Sequence, residues 1–117
     1  MRRLIITTLA ALAATALVCG PASAASFKCA KARAADEKAI CADRRLNDLD
    51  VELAVRLDVV KHMVAMGQRG ALMDDQQAWL RARRACNADR LCLQRRYGDR
   101  LEEVNGALQR IYGKGPY

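Results

Sequence analysis

From Phe27 to the C-terminal tail, apolar positions recur at steps of three and four, and no run of β-branched and aromatic residues alternates as a strand would. The longest seam starts behind Asp43 and runs through Leu46, Leu49, Leu53, Leu57, Val60 and Val64. Gly67 and Gly70 bracket Gln68 and Arg69 and are expected to end it, with Gly67 as the C-terminal cap and the four residues as an interhelical tip. A third helix is expected from Asp74 or Asp75, either able to cap, through Trp79, Ala82 and Ala85 to Cys86. Asn87, Ala88 and Asp89 break that pattern. Asp89 then caps a last helix with Leu93, Tyr97, Leu101, Val104, Leu108 and Ile111 on one face, ended by the tail from Gly113 to Pro116. Gly98 and Gly106 fall inside it, each costing up to about 1 kcal/mol relative to alanine. Ahead of the long seam, Ser26 to Cys41 holds Asp36 and Glu37 where a short helix would open, and predicts one or two short helices.

The pattern predicts an all-α fold, a small bundle of three amphipathic helices plus a short N-terminal helical segment. With one Phe, one Trp and three Tyr in the chain, its core is aliphatic and modest. A domain of this size commonly needs covalent staples.

The first residues follow another pattern. Arg2 and Arg3 precede an apolar stretch from Leu4 to Val18, and Gly20, Pro21 and Ala22-Ser23-Ala24 follow it with an A-x-A cleavage site. Residues 1–24 therefore read as a secretory signal peptide and 25–117 as one helical domain, periplasmic or secreted. The apolar stretch is short of the roughly 20 residues of a membrane span. A lipid-bearing Cys19 is the rival reading, disfavoured because Val18 stands where such sites need a small residue. Cleavage lowers the net charge from +7 to +5, since Arg2 and Arg3 leave. A basic domain outside the cytoplasm suits acidic surfaces, while export and scarce aromatics speak against nucleic acid.

Four cysteines remain after cleavage, Cys29, Cys41, Cys86 and Cys92, and an even number in an exported chain reads as two disulfides. The C-x11-C and C-x5-C spacings, with His62 as the sole histidine, argue against a zinc site, and no other metal or cofactor is expected. Helical hairpins would bring Cys29 to Cys41 and Cys86 to Cys92, which favours those local pairs. Long-range pairing of the N-terminal segment with the last interhelical junction stays open, and each such bond would close a larger loop.

Two sets of residues resemble a known family. The first is F-x-C-x-x-A, E-x-x-I-C and L-x-x-L-D-x-x-L, carried by Phe27, Cys29, Ala32, Glu37, Ile40, Cys41, Leu46, Leu49, Asp50 and Leu53. The second is Q-x-x-W-L-x-x-R-x-x-C, a further Cys and Y-x-x-R-L, carried by Gln76, Trp79, Leu80, Arg83, Cys86, Cys92, Tyr97, Arg100 and Leu101. In this order they resemble the lysozyme inhibitor LprI-like family. The chain departs from that family at Leu57, where an aromatic is common, and at Ala34-Ala35, where a Thr-Pro type turn is common. The resemblance implies an exported, non-enzymatic helical domain, with lysozyme inhibition as the activity of the family's namesake.

At about 100° per residue, Arg83 lies roughly 40° from Trp79, Arg100 about 60° from Tyr97 and Asp50 about 60° from Leu53. Charges on the margins of apolar faces seek partners, so Asp50 and Glu37 are expected to pair with Arg83 and Arg100 across helices, with Gln76 in the same structural network. Arg81, Arg84 and Arg95 point away from the seams and, with Arg69 on the glycine tip, are the candidates for contacting an acidic partner. His62 also points outward, with no nucleophile or carboxylate placed beside it as a catalytic partner. Met63, Met66 and Met73 are expected as core filling. No Ser-His-Asp set, metal constellation or phosphate loop is present, so an enzyme is not expected.

Two functions fit. A lysozyme inhibitor would cover a glycosidase cleft built around two carboxylates. A protein that binds an anionic envelope polymer or lipid through a basic face explains the charge better, because lysozymes of the animal type are themselves cationic and would repel a +5 domain.

Overall fold

The computed structural model describes residues 25–114. Its elements are a 3₁₀ turn at Cys29–Lys31 and four helices: α1 Ala35–Ala42, α2 Arg44–Met63, α3 Met66–Ala85 and α4 Arg90–Tyr112. Among the described residues there is no strand, and no helix is long and apolar enough to cross a membrane. The segment expected to be a signal peptide, with Cys19, lies outside them.

The apolar seams form one core. Leu46, Leu53 and Val60 from α2 meet Leu93, Tyr97, Leu101 and Val104 from α4, with Ile40 of α1, Trp79 of α3 and Cys86 just after α3 closing the sides. The pairing of α2 with α4 is the most extensive contact in the bundle, and α1 and α3 pack around it. Asp43 caps α2 by accepting from the Leu46 N–H at 3.1 Å, and Asp89 caps α4 by accepting from the Cys92 N–H at 3.0 Å. Each satisfies an N–H that the helix start leaves without a partner.

The two disulfides are the local ones, Cys29–Cys41 with Cα atoms 5.7 Å apart and Cys86–Cys92 at 5.6 Å. Asn87, with φ 51°, makes the left-handed step between α3 and α4 that the second bridge encloses; asparagine tolerates this region better than most residues. Loops this short contribute about 2–3 kcal/mol each by limiting the unfolded chain. Disulfides mark an oxidising compartment outside the cytoplasm.

The α2–α3 junction differs from the expectation. The break falls at Val64 and Ala65, both in extended conformation, and α3 begins at Met66. Gly67 and Gly70 lie in the opening turns of α3, with nothing within 4 Å of a Cβ built on either, and neither takes a left-handed φ. Asp74 and Asp75 sit within the helix and do not cap it. Two glycines disfavour a helix by about 2 kcal/mol together, yet Leu72, Trp79 and Leu80 further along the same helix pack on the core and hold it in place. The shifted junction also overturns the expectation for two methionines. Met63 and Met66 flank the turn and are exposed, while Met73 is half-buried.

Candidate functional site

Four helices meet at one buried group of charges. Arg83 of α3, 5% exposed, donates from Nε to Asp36 Oδ2 of α1 at 2.8 Å, and its Nη1 lies 3.7 Å from Asp50 Oδ1 of α2. Nη1 also reaches the Tyr97 hydroxyl of α4 at 3.4 Å, and that hydroxyl donates to Asp50 Oδ1 at 2.8 Å. The Ser26 backbone N–H donates to the other oxygen of Asp50 at 2.7 Å. Aromatic rings enclose the guanidinium, whose central carbon is 5.7 Å from the Phe27 ring centroid and 5.8 Å from that of Trp79. Trp79 meets Tyr97 edge-on at 5.1 Å and donates its indole N–H to the Arg96 carbonyl at 2.9 Å.

The electrostatics follow from burial. Removal from water, and then the neighbouring Asp50 carboxylate, push the Tyr97 hydroxyl pKa well above its ordinary value, so it stays a neutral donor. Burial works against the charge on Arg83, but its interactions with Tyr97 and Asp36 outweigh that and raise its pKa. Each partner depends on the others, so the cluster ties all four helices together, and losing one member leaves buried charge uncompensated.

The membership differs from the expectation. Asp36, not Glu37, meets Arg83. Glu37 instead turns back to the start of α1, where its carboxylate accepts from the N–H groups of Arg33 at 3.1 Å and Ala34 at 3.4 Å. Neighbouring helix positions are about 100° apart, so only one of the two acids can face inward. Asp36 stands four residues before buried Ile40 and shares its face, whereas Glu37 is the third residue of α1, the position from which an acid reaches back to the helix start. Both signals are legible in the sequence. Arg100 pairs with neither acid: its Nε donates to Gln76 Oε1 at 3.1 Å and its Nη1 to Glu103 Oε2 at 2.7 Å, a second bracket between α3 and α4. Tyr97, read from periodicity as a seam residue only, is a hub of the first cluster.

Of the four arginines expected to meet a partner, the fold brings two together. Arg81 and Arg84 are exposed and line a pocket of ≈ 310 Å³ with Gln77, Phe27 and Glu37, and Arg83 forms part of its wall. Arg95 is exposed on α4 and does not line this pocket, and Arg69 is half-buried near the start of α3. The tip to which Arg69 was assigned is helical. His62 is exposed on α2, its Nδ1 2.7 Å from the Asp58 carbonyl oxygen and 3.5 Å from the Asp58 carboxylate. Among the described residues no group of three His, Cys, Asp or Glu side chains is placed to hold a metal.

No family model matches the chain, and no curated protein or solved structure matches it.

Proposed function

We propose that this is an exported helical domain that works by binding rather than by catalysis, presenting Arg81 and Arg84 to acidic groups of a partner in the bacterial envelope. The observation that carries this reading is the pairing of two exposed arginines on one pocket, on a helix that the Arg83 cluster and the Cys86–Cys92 bridge hold in register. Arginines kept in place by a rigid support lose less freedom on engaging a carboxylate or phosphate, and the planar guanidinium binds either in two-pronged fashion. Export is supported by the leader-like pattern of residues 1–24 and by the disulfides.

The resemblance to the LprI-like family makes lysozyme the first partner to test, with the two acids of its cleft as the groups engaged. Net positive charge favours the second reading, an anionic polymer or lipid of the envelope. A lysozyme clearance assay and a peptidoglycan pull-down, each at low and high salt, separate them. Cleft insertion keeps its strength at high salt, whereas polymer binding falls steeply. In whichever assay responds, replacing Arg81 and Arg84 together by alanine should weaken the interaction about tenfold or more and leave the thermal midpoint almost unchanged, as expected of exposed positions. Unaltered binding by that double variant would remove the pocket from the account.

A further inference from the structure

The buried cluster holds two carboxylates and one guanidinium. Asp36 is fully buried, Asp50 is 4% exposed, and among the described residues Arg83 is the one cation ion-paired with either. A buried carboxylate without a matching charge is costly, so the site calls for a second cation.

The chain's own N-terminal run reaches this site. Ser26 N–H meets Asp50 Oδ2 at 2.7 Å, a short bond from a neutral amide to an ionised acceptor that brings the chain start to the acid. Ala25 beside it is half-buried and lines a shallow depression with Val51, Ala54 and Val55 of α2. Residues 25 and 26 are therefore seated on α2.

We propose that removal of the leader completes the cluster, the new α-ammonium group at Ala25 serving as the missing cation opposite Asp50. This rests on the export reading given above. Hydrolysis of the peptide bond after Ala24 adds one water, leaving a carboxylate on the released leader and an amine on Ala25 that takes up a proton at neutral pH. Consecutive Cα atoms lie about 3.8 Å apart, so an ammonium one residue before Ser26 falls within roughly 6 Å of the Asp50 carboxylate, close enough for strong attraction in a half-buried site. The same nitrogen in the unprocessed chain is a neutral amide. The fold thus gains stability when the leader is cut, and processing acts as a stability switch built into the polypeptide.

The test uses the full-length chain, exported and processed, beside a variant with Gly-Ser-Gly-Ser inserted between Ala24 and Ala25. The insertion preserves the cleavage sequence and the Ser26–Asp50 hydrogen bond but carries the ammonium away. It should lower the thermal midpoint by about 4–8 °C, and the difference should vanish when both chains also carry Asp50→Asn. The α-amino group of the native product should react with an acylating reagent about tenfold more slowly than that of the insertion variant, a readout independent of whether Asp50→Asn folds. Equal midpoints and equal reactivity in two chains of the intended intact mass would overturn the assignment and leave export standing. A mass that still includes residues 1–24 would overturn both.

Discussion

The two ends of the bundle are built differently. At the end where α2 and α4 begin, two disulfides, the Asp36–Arg83–Asp50 cluster and the Arg90–Asp43 pair at 3.5 Å join every helix to another. At the other end, Val60 of α2, Val64 of the α2–α3 turn, Leu72 of α3 and Ala107 and Ile111 of α4 line an open groove of ≈ 560 Å³, and Met63 and Met66 are exposed beside that turn. Directional and covalent links are concentrated at the first end, whereas the second is held mainly by aliphatic contacts. Aliphatic contact is non-directional and tolerates adjustment, while a buried ion cluster has one geometry. In a chain with few aromatic residues, uniqueness is concentrated where the charges and bridges are, and the exposed arginine pair sits at that end.

The largest expected effect comes from breaking the braced end. Arg83→Met keeps most of the side-chain length but strands two buried carboxylates, and should cost about 3–5 kcal/mol, read as a lower urea midpoint. An unchanged midpoint would mean that the cluster does not set the stability of this end. Next in size is Tyr97→Phe, which removes the hydroxyl that donates to Asp50 at 2.8 Å and should cost about 1.5–3 kcal/mol. It also has a pH signature. The Tyr97 pKa is raised on folding, so the folded state binds this proton more tightly than the unfolded state does. Its contribution is fully present below the unfolded value of 10.0 and is lost as the pH rises beyond it. The native protein should lose stability above about pH 10, and Tyr97→Phe should lack the part of that loss due to this residue; matching alkaline limbs in the two proteins would count against the neutral-donor role.

The same contrast explains what could be read from the sequence. The braced end was legible because its features are local: Asp43 and Asp89 precede apolar periods as caps, and the cysteine spacings match hairpin closure. The helical seams were equally plain, since every buried aliphatic side chain of α2 and α4 lies on a three-and-four repeat. Partner choice within the cluster was less so, because Asp36 and Glu37 are adjacent acids and only the turn of α1 decides which faces Arg83. The loose end misled outright. Glycine propensity argues for a stop at Gly67, but the contacts of Leu72, Trp79 and Leu80 decide where α3 lies, and those contacts are tertiary.

That misreading gives the smallest prediction and the one whose sign matters most. Were Gly67 the left-handed cap of α2, Gly67→Ala would strain the backbone and destabilise the protein. In the structure both Gly67 and Gly70 are helical, without a left-handed φ and with open space where a Cβ would stand. Alanine then restricts the unfolded chain and suits the helix, so Gly67→Ala and Gly70→Ala should each stabilise by about 0.4–1 kcal/mol, near the upper end of that range when the position is well inside the helix. Gly70, a turn further in than Gly67, should gain the more of the two. A rise in the urea midpoint for both agrees with a break at Val64 and Ala65; a fall for Gly67→Ala would return the break to the glycines.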